Sequence, residues 1–367
     1  MYLIIFIFLI LYVVLILNYY LGWRKIKLPK KLEITPKVSV VIALRNEESE
    51  IEKLLNNLKA QIYPINQLQL ILVNDHSTDN TLGLLQNFKA DNLTVLDMPK
   101  AEFGKKNAIS KAIQIAKGEI ILITDADCSF SPNWIQTMVG YFTDNKIKLV
   151  SGPVNYHQKK GLFQHLQALE FASLIGSGAG AIGSGNAIFC NGANMAYKKE
   201  VFLEVNNYKN DNTASGDDVF LLHSVKQRYP NGIAFAKDKN AIVKTNALNT
   251  LSAFINQRKR WTAKSSSYTD RRTIYTSFLV LFTNLSLLYL FVLCFFDSQL
   301  ANYFIGFYLL KFMIDLIFLI PILDFFKRKD LIKWILPFEL FYSFYIVLIV
   351  TLSFTNSFEW KGRIHKK

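Results

Sequence analysis

Cysteine is scarce in this chain, and its three thiols, Cys128, Cys190 and Cys294, are scattered without metal-ligand spacing. A disulfide framework is excluded on the same ground, and the thiols suit packing in a reducing compartment. Acidic residues are also few, 28 against 42 Lys and Arg, for a formal net charge of +14. Nucleic acid is a poor partner for that charge, because the basic residues cluster beside apolar segments. Anionic lipid headgroups and an anionic nucleotide fit it better. The first 22 residues carry no charge at all. They lack the basic start and the small-residue cleavage site of a removable leader, so residues 1–24 read as an uncleaved transmembrane anchor. No internal repeat and no disordered tract is legible.

What the chain has in abundance is apolar sequence, 51% hydrophobic with 29 Phe, concentrated at its ends. Three further apolar stretches, 273–296, 302–326 and 334–354, are long enough to cross or line a bilayer. Lys25, Lys27, Lys30 and Lys31 follow the first apolar run, and the basic stretch 258–272 precedes the second. The positive-inside rule then places the middle of the chain in the cytoplasm. Loop 297–302 has no Lys or Arg and faces outward, while Lys327, Arg328 and Lys329 return to the cytoplasm. The basic tail, 359–367, would end outside after a fourth complete span, so one C-terminal segment is expected to be re-entrant or interfacial. The expected division is an anchor at 1–24, a cytoplasmic domain at 33–270, membrane helices at 271–358 and the tail.

Residues 36–124 alternate short apolar runs with helical patterns, the signature of a parallel α/β sheet. Strands are expected at 38–44, 70–73, 93–96 and 119–124, with helices at 47–61 and 105–116. Later elements are a strand at 193–197, a helix at 217–227 and a helix over 251–264 leading to the membrane. Gly178, Gly180 and Gly183 match the dinucleotide spacing G-x-G-x-x-G, but the strand–turn–helix setting is missing. A flexible loop or a close-packed segment near the membrane is the better reading.

The most informative residues are Asp125 and Asp127, at the carboxyl end of the apolar run 120–123. Open α/β sheets place ligands there, and residues i and i+2 of a strand share a face. Two hard oxygen donors so placed can hold Mg²⁺ or Mn²⁺ against a diphosphate. They equally suit a turn that caps the following helix. Asp75, at the end of the second strand, can take hydrogen bonds from a nucleobase or ribose, or cap the helix after it. Arg45 and Glu47 end the first strand and can line the same cleft, although Glu47 also suits a first helical turn. Lys105 follows Gly104 and can approach phosphates, or be a solvated lysine like Lys106. Asp217 and Asp218 are candidate acids or simply a helix start. Gln257, Arg258, Arg260 and Trp261 can bind a ligand or form a basic interfacial helix with a belt tryptophan.

In order along the chain, VSVVIALRNEE, LILVNDHSTDNT, GKKNAI, TDAD, GDD and QRKRW resemble the motif series of glycosyltransferase family 2. The likeness covers about residues 36–264. It departs from the family at Ala43 and Arg45, which replace the usual Pro and Tyr, and at Asp217, which replaces a Glu. The resemblance implies a GT-A fold, an α/β Rossmann-like nucleotide-sugar-binding domain, here with one N-terminal and about three C-terminal membrane helices. It further implies an inverting transfer from a nucleotide sugar, expected to be a UDP-sugar, in an integral protein of a bacterial cell membrane. Asp75 would contact the base, Asp125 the ribose and the metal, and Asp127 the metal on the diphosphate. Arg45, Glu47, Lys105, Gln257, Arg258, Arg260 and Trp261 would complete donor and acceptor contacts. Asp218, with Asp217 beside it, would take the proton of the attacking hydroxyl.

The few C-terminal spans and the WKGR tail lean the expected acceptor toward a lipid, with a processive polysaccharide synthase as the alternative. A rival from another class is a transport protein whose cytoplasmic domain only binds nucleotide. Lys311, Asp315 and Glu339 are its support. Lys311 and Asp315, at i and i+4, would line a path for lipid or glycan, or satisfy each other, with Glu339 at headgroup level.

Overall fold

The computed structural model describes residues 2–29, 34–205, 217–354, 357–360 and 363–366, with Asp217 and the tail strands as backbone. Expectations resting on Lys30, Lys31, Ser215, Gly216, the Asp217 side chain and the tail side chains lie outside the described residues. The chain divides into two compact units.

One unit comprises Ile26–His157 and Phe189–Asn246. Its centre is a seven-stranded sheet in the order β3-β2-β1-β4-β8-β6-β9. Strands β1 (Val38–Leu44), β2 (Leu68–Asn74), β3 (Leu93–Asp97) and β4 (Ile120–Thr124) run parallel. β1 and β4 are almost wholly buried, as their continuous β-branched and leucine runs require of strands covered on both faces. Helices α2 (Glu48–Lys59), α3 (Thr81–Asn87) and α4 (Lys105–Ile115) connect them. α2 shows how pattern becomes packing: Ile51, Leu54, Leu55 and Leu58, spaced three to four apart, are its buried face.

Beyond β4 the sheet turns antiparallel. β8 (Asn194–Lys198) pairs with β4 so that Asn194 stands opposite Thr124, and β6 (Leu149–Ser151) and β9 (Ile233–Phe235) complete the edge. A small second sheet joins β5 (Ser129–Phe130), β10 (Val243–Thr245) and β7 (Val154–Tyr156). Helices α5 (Trp134–Gly140), α7 (Lys199–Val205) and α8 (Asp217–Arg228) complete the unit. Chain order reverses between β1 and β4, so the switch-point crevice lies at their carboxyl ends. This is the GT-A α/β arrangement, and it puts Arg45, Asp75 and Asp125 at one rim.

The second unit comprises Met1–Lys25, Gln158–Ile188 and Ala247–Lys367. Among its described residues, four helices are long and apolar enough to cross a membrane, one N-terminal and three C-terminal. They are α1 (Tyr2–Lys25), α10 (Arg271–Leu293), α11 (Leu300–Phe325) and a last segment ending in α12 (Ile335–Ser353). Helices α6 (Leu162–Gly183) and α9 (Leu251–Ala263) and the hairpin of β11 (Ser357–Trp360) and β12 (Arg363–Lys366) belong to the same unit. Side chains set two helix starts, where Thr250 accepts from the Ala253 N–H at 3.2 Å and Asp270 from the Thr273 N–H at 2.8 Å.

The glycine run of 178–183 lies in α6, so the close-packed reading is the one observed. A Cβ at Gly22 would stand 2.0 Å from the Gly180 oxygen, and one at Gly180 would stand 2.5 Å from the Tyr19 oxygen. Only glycine at both positions lets α1 and α6 approach this closely. Lys311 is fully enclosed; its Nζ lies 2.8 Å from Asp315 Oδ2 and also bonds Glu339. The Tyr12 hydroxyl donates to Asp315 Oδ1 at 2.7 Å. The expected i,i+4 pair is present, and Glu339 joins it.

Candidate active site

The rim residues of the sheet are fixed to one another before any ligand is considered. Asp75 follows β2, is 3% exposed, and gives its N–H to the Leu44 carbonyl at 2.8 Å. Both of its carboxylate oxygens accept the Gly104 N–H at 3.0 Å. Gly104 holds φ +97, in the left-handed region, and starts α4. His76 braces the same corner, with Nδ1 3.0 Å from Asp75 Oδ1 and Nε2 3.2 Å from the Pro99 carbonyl. Asp75 thereby aims the Gly104–Lys105 turn, and the Lys105 ammonium forms an ion pair with Asp125. Arg45 lies at the same corner, donating from Nη1 to the Asp75 carbonyl at 3.1 Å. Glu47 is the residue before α2, where its N–H bonds the Thr81 hydroxyl at 2.9 Å.

Asp125 and Asp127 leave the end of β4 half-buried, with the buried Ala126 between them. Asp127 Oδ2 accepts from the Thr245 hydroxyl at 2.7 Å. Thr245 ends β10, and its carbonyl takes the His157 N–H at 2.9 Å, so the second sheet acts as a bracket for this carboxylate. Burial, then the charges of Asp125 and Asp127, push the Cys128 thiol well up, which leaves it inert. Cys128 and Cys190 are buried and Cys294 is half-buried, and none of the three is in a disulfide.

Asp218 reaches the same rim from α8. Its Oδ2 accepts the Gly192 N–H at 2.9 Å and its Oδ1 the Val219 N–H at 2.9 Å. The Gly192 loop leads directly into β8, where the Thr124 hydroxyl donates to the Ala193 carbonyl at 2.8 Å. One covalent step past Thr124 lies Asp125. Asp218 is therefore tied, through 192–194, to the strand end that carries the two other acids. Each of its oxygens keeps a lone pair for an incoming hydroxyl.

Asn194 makes this geometry rigid. It is wholly buried, donates to the Pro153 and Ala241 carbonyls at 2.8 Å each, and accepts from Trp134 Nε1 at 3.0 Å. Gly152 leaves it the room, since a Cβ there would stand 2.2 Å from the amide. Asn194→Ala strands two buried polar groups, the Ala241 carbonyl and Trp134 Nε1, while Pro153 keeps the Val243 N–H, and is expected to lower unfolding stability by about 2–3 kcal/mol. Thermal unfolding of the purified protein in detergent measures it.

Gln257, Arg258, Arg260 and Trp261 belong to α9, in the other unit. Arg258 is 3% exposed and pairs bidentately with Glu170 of α6, its Nε donating at 2.8 Å. It also bonds Gln257 Oε1 at 2.6 Å and lies 4.2 Å from the Trp261 ring centroid. Tyr345 of α12 donates to Glu170 at 3.0 Å. Thr245, His76 and Glu170 had escaped sequence reading. Glu170 alone left a signal, a single acid inside an apolar, small-residue helix that needs a buried partner.

Among the described residues, no three His, Cys, Asp or Glu side chains converge as a metal-binding group. Asp125 and Asp127 offer two hard carboxylate donors on an open rim, with ligand or water oxygens left to complete a shell. That donor set fits Mg²⁺ or Mn²⁺, which keep water and substrate phosphate oxygens as ligands.

The model of glycosyl transferase family 2 matches residues 39–205. Poly-beta-1,6-N-acetyl-D-glucosamine synthase of Staphylococcus aureus is 28% identical over 181 residues, 47% of this chain and 42% of that protein. The enzyme of the same name from Staphylococcus epidermidis is 28% identical over 182 residues, with the same coverage. The match thus spans less than half the length of these relatives. Among solved structures, a mannosyltransferase from Pyrobaculum calidifontis, complexed with GDP-Man and Mn²⁺, aligns with a TM-score of 0.60. It covers 93% of this chain and 99% of its own at 18% identity, a likeness of fold. With the sheet order, the rim acids and the motif series in agreement, residues 39–205 are a glycosyl transferase family 2 domain, in a chain whose described residues include four helices long and apolar enough to cross a membrane.

Proposed function

We propose that this enzyme transfers a sugar, with inversion, from a UDP-sugar to an acceptor hydroxyl at the cytoplasmic face of a bacterial cell membrane. The observation that carries the reading is Asp218 held by the Gly192 N–H at 2.9 Å, on the loop entering the strand paired with β4. A base and a pair of metal-type carboxylates then share one strand end. In the reaction the acceptor oxygen forms its bond to the anomeric carbon as Asp218 takes the hydroxyl proton. The bond to the diphosphate breaks, and its electron pair leaves with the nucleotide. A divalent cation held by Asp125 and Asp127 would neutralise charge on that departing diphosphate. Lys105 pairs with Asp125 and can turn its ammonium to the phosphates. Asp75 sets the position of Lys105, and Arg45 and Glu47 border the nucleotide. For Arg260 and Trp261 we adopt the diphosphate and acceptor contacts implied by the motif alone, with Gln257 and Arg258 holding their helix. Asp217 begins the same helix as the base.

For the acceptor, a growing β-linked glycan is favoured by the two staphylococcal relatives, whose names are those of polymer synthases. Transfer of one sugar to a lipid is the second reading, in keeping with the four membrane-length helices among the described residues. Incubating the full chain in lipid nanodiscs with labelled UDP-N-acetylglucosamine and related UDP-sugars separates them. A ladder or polymer is expected, whereas one labelled lipid-soluble monosaccharide product would assign the second reading. Nucleotide binding without transfer from any donor would restore the transport rival.

A further inference from the structure

One face of α6 carries Phe163, Gln167, Glu170 and Phe171, at i, i+4, i+7 and i+8 of that helix. Each touches α9 or the segment that enters it. The buried Gln167 donates to the Leu248 carbonyl at 2.9 Å and accepts the Leu248 N–H at 3.1 Å. The Phe163 ring meets Phe254 edge-on with centroids 5.8 Å apart, and the Phe171 ring lies 6.1 Å from that of Trp261. Glu170, also buried, takes both Nε and Nη2 of Arg258. The entry to α9 and the middle of the helix are thus both fastened to α6.

On α9 the face so held is Phe254, Arg258 and Trp261, again i, i+4 and i+7. The guanidinium carbon of Arg258 lies 4.6 Å from the Phe254 ring centroid and 4.2 Å from that of Trp261. Trp261 is half-buried and keeps part of its surface open. A planar fork gripped at two nitrogens cannot turn, so the carboxylate sets the plane against which the indole rests. Tyr345 donates to Glu170 Oε1 at 3.0 Å and pins the carboxylate from α12. An enclosed ion pair is a poor device for stability alone, since apolar side chains of like volume often hold a protein as well. What it supplies is direction. We infer that Glu170 is a positioning residue for the transfer, fixing the Trp261 ring through Arg258. This role rests on the acceptor contact proposed above for Trp261.

The test replaces the ion pair by apolar side chains, Glu170→Leu with Arg258→Met and Tyr345→Phe, in the full chain in lipid nanodiscs. Thermal midpoint, nucleotide affinity and turnover with labelled UDP-sugar are read together. The triple variant is expected to unfold at or above the wild-type midpoint. It should bind nucleotide within about twofold yet turn over at least about tenfold more slowly, because a contact group misplaced by about 1 Å can cost about 100-fold. Trp261→Ala supplies the readout that a structural pair would not move. On that background the triple variant should lose less than about twofold more, since both changes remove the same contact. Wild-type turnover in the triple variant, lost nucleotide affinity, or a fully additive loss beside Trp261→Ala overturns the positioning role and leaves the acceptor contact standing. Undiminished turnover in Trp261→Ala alone overturns both. If the triple variant does not fold, Arg258→Lys decides, since it keeps the charge but not the fork. It is expected to lower turnover at least about fivefold, as loss of one charged hydrogen bond can, and unchanged turnover overturns the positioning role.

Discussion

Asp218→Asn is expected to lower kcat for sugar transfer by about 1,000-fold, within the range that loss of a general base produces. Donor affinity should stay within about twofold. The substitution is nearly isosteric, and the amide oxygen can still take one of the two backbone N–H groups, from Gly192 or Val219, that hold the carboxylate. The loop into β8 then keeps its anchor while the proton acceptor is gone. Turnover with labelled donor gives kcat, and nucleotide titration by calorimetry gives affinity separately. A variant within about tenfold of wild-type turnover would put the base elsewhere. Loss of nucleotide binding would make Asp218 a donor ligand instead.

Asp127→Ala is expected to raise the Mn²⁺ concentration needed for half-maximal turnover by about 100-fold, the scale on which altering a metal site acts. Chelator treatment of the wild type should abolish transfer and be reversed by Mn²⁺ or Mg²⁺. Asp127 is the sharper of the two acids to change, because Asp125 also pairs with Lys105, so its loss would mix two effects. Removing Asp127 frees the Thr245 hydroxyl, a half-buried group that water can satisfy, and stability should fall by less than about 1 kcal/mol. An unchanged Mn²⁺ midpoint would remove Asp127 from the metal shell.

The parallel half of the sheet was legible because its strands are long, apolar and separated by amphipathic helices. The expected strand at 38–44 is β1, and the run ending at Thr124 is β4. Strands β6, β7, β9 and β10 have three residues each, too few for a period-two pattern to stand out. With them went Thr245, whose bond to Asp127 spans 118 positions in sequence. The acids at strand ends were visible as residues, yet their mutual order was not. That the Gly104 N–H lies on Asp75, or the Gly192 N–H on Asp218, is decided by loops whose backbone path no local pattern announces. α6 was obscured for the opposite reason, since its glycines mimic a nucleotide loop until their contact with α1 explains them.

The enclosed Lys311 gives synthesis of the protein an order. Its partner Asp315 is on the same helix, so α11 enters hydrocarbon with a cation already matched by an anion. Glu339 is on α12 and finds its ammonium only on α11. An unmatched charge in the middle of a nascent span costs roughly 2.5–3.5 kcal/mol at insertion. The translocon meets α11 first, and the lysine is waiting when the glutamate arrives. Lys311→Met would therefore show its damage during biogenesis, as a failure of the last segment to integrate.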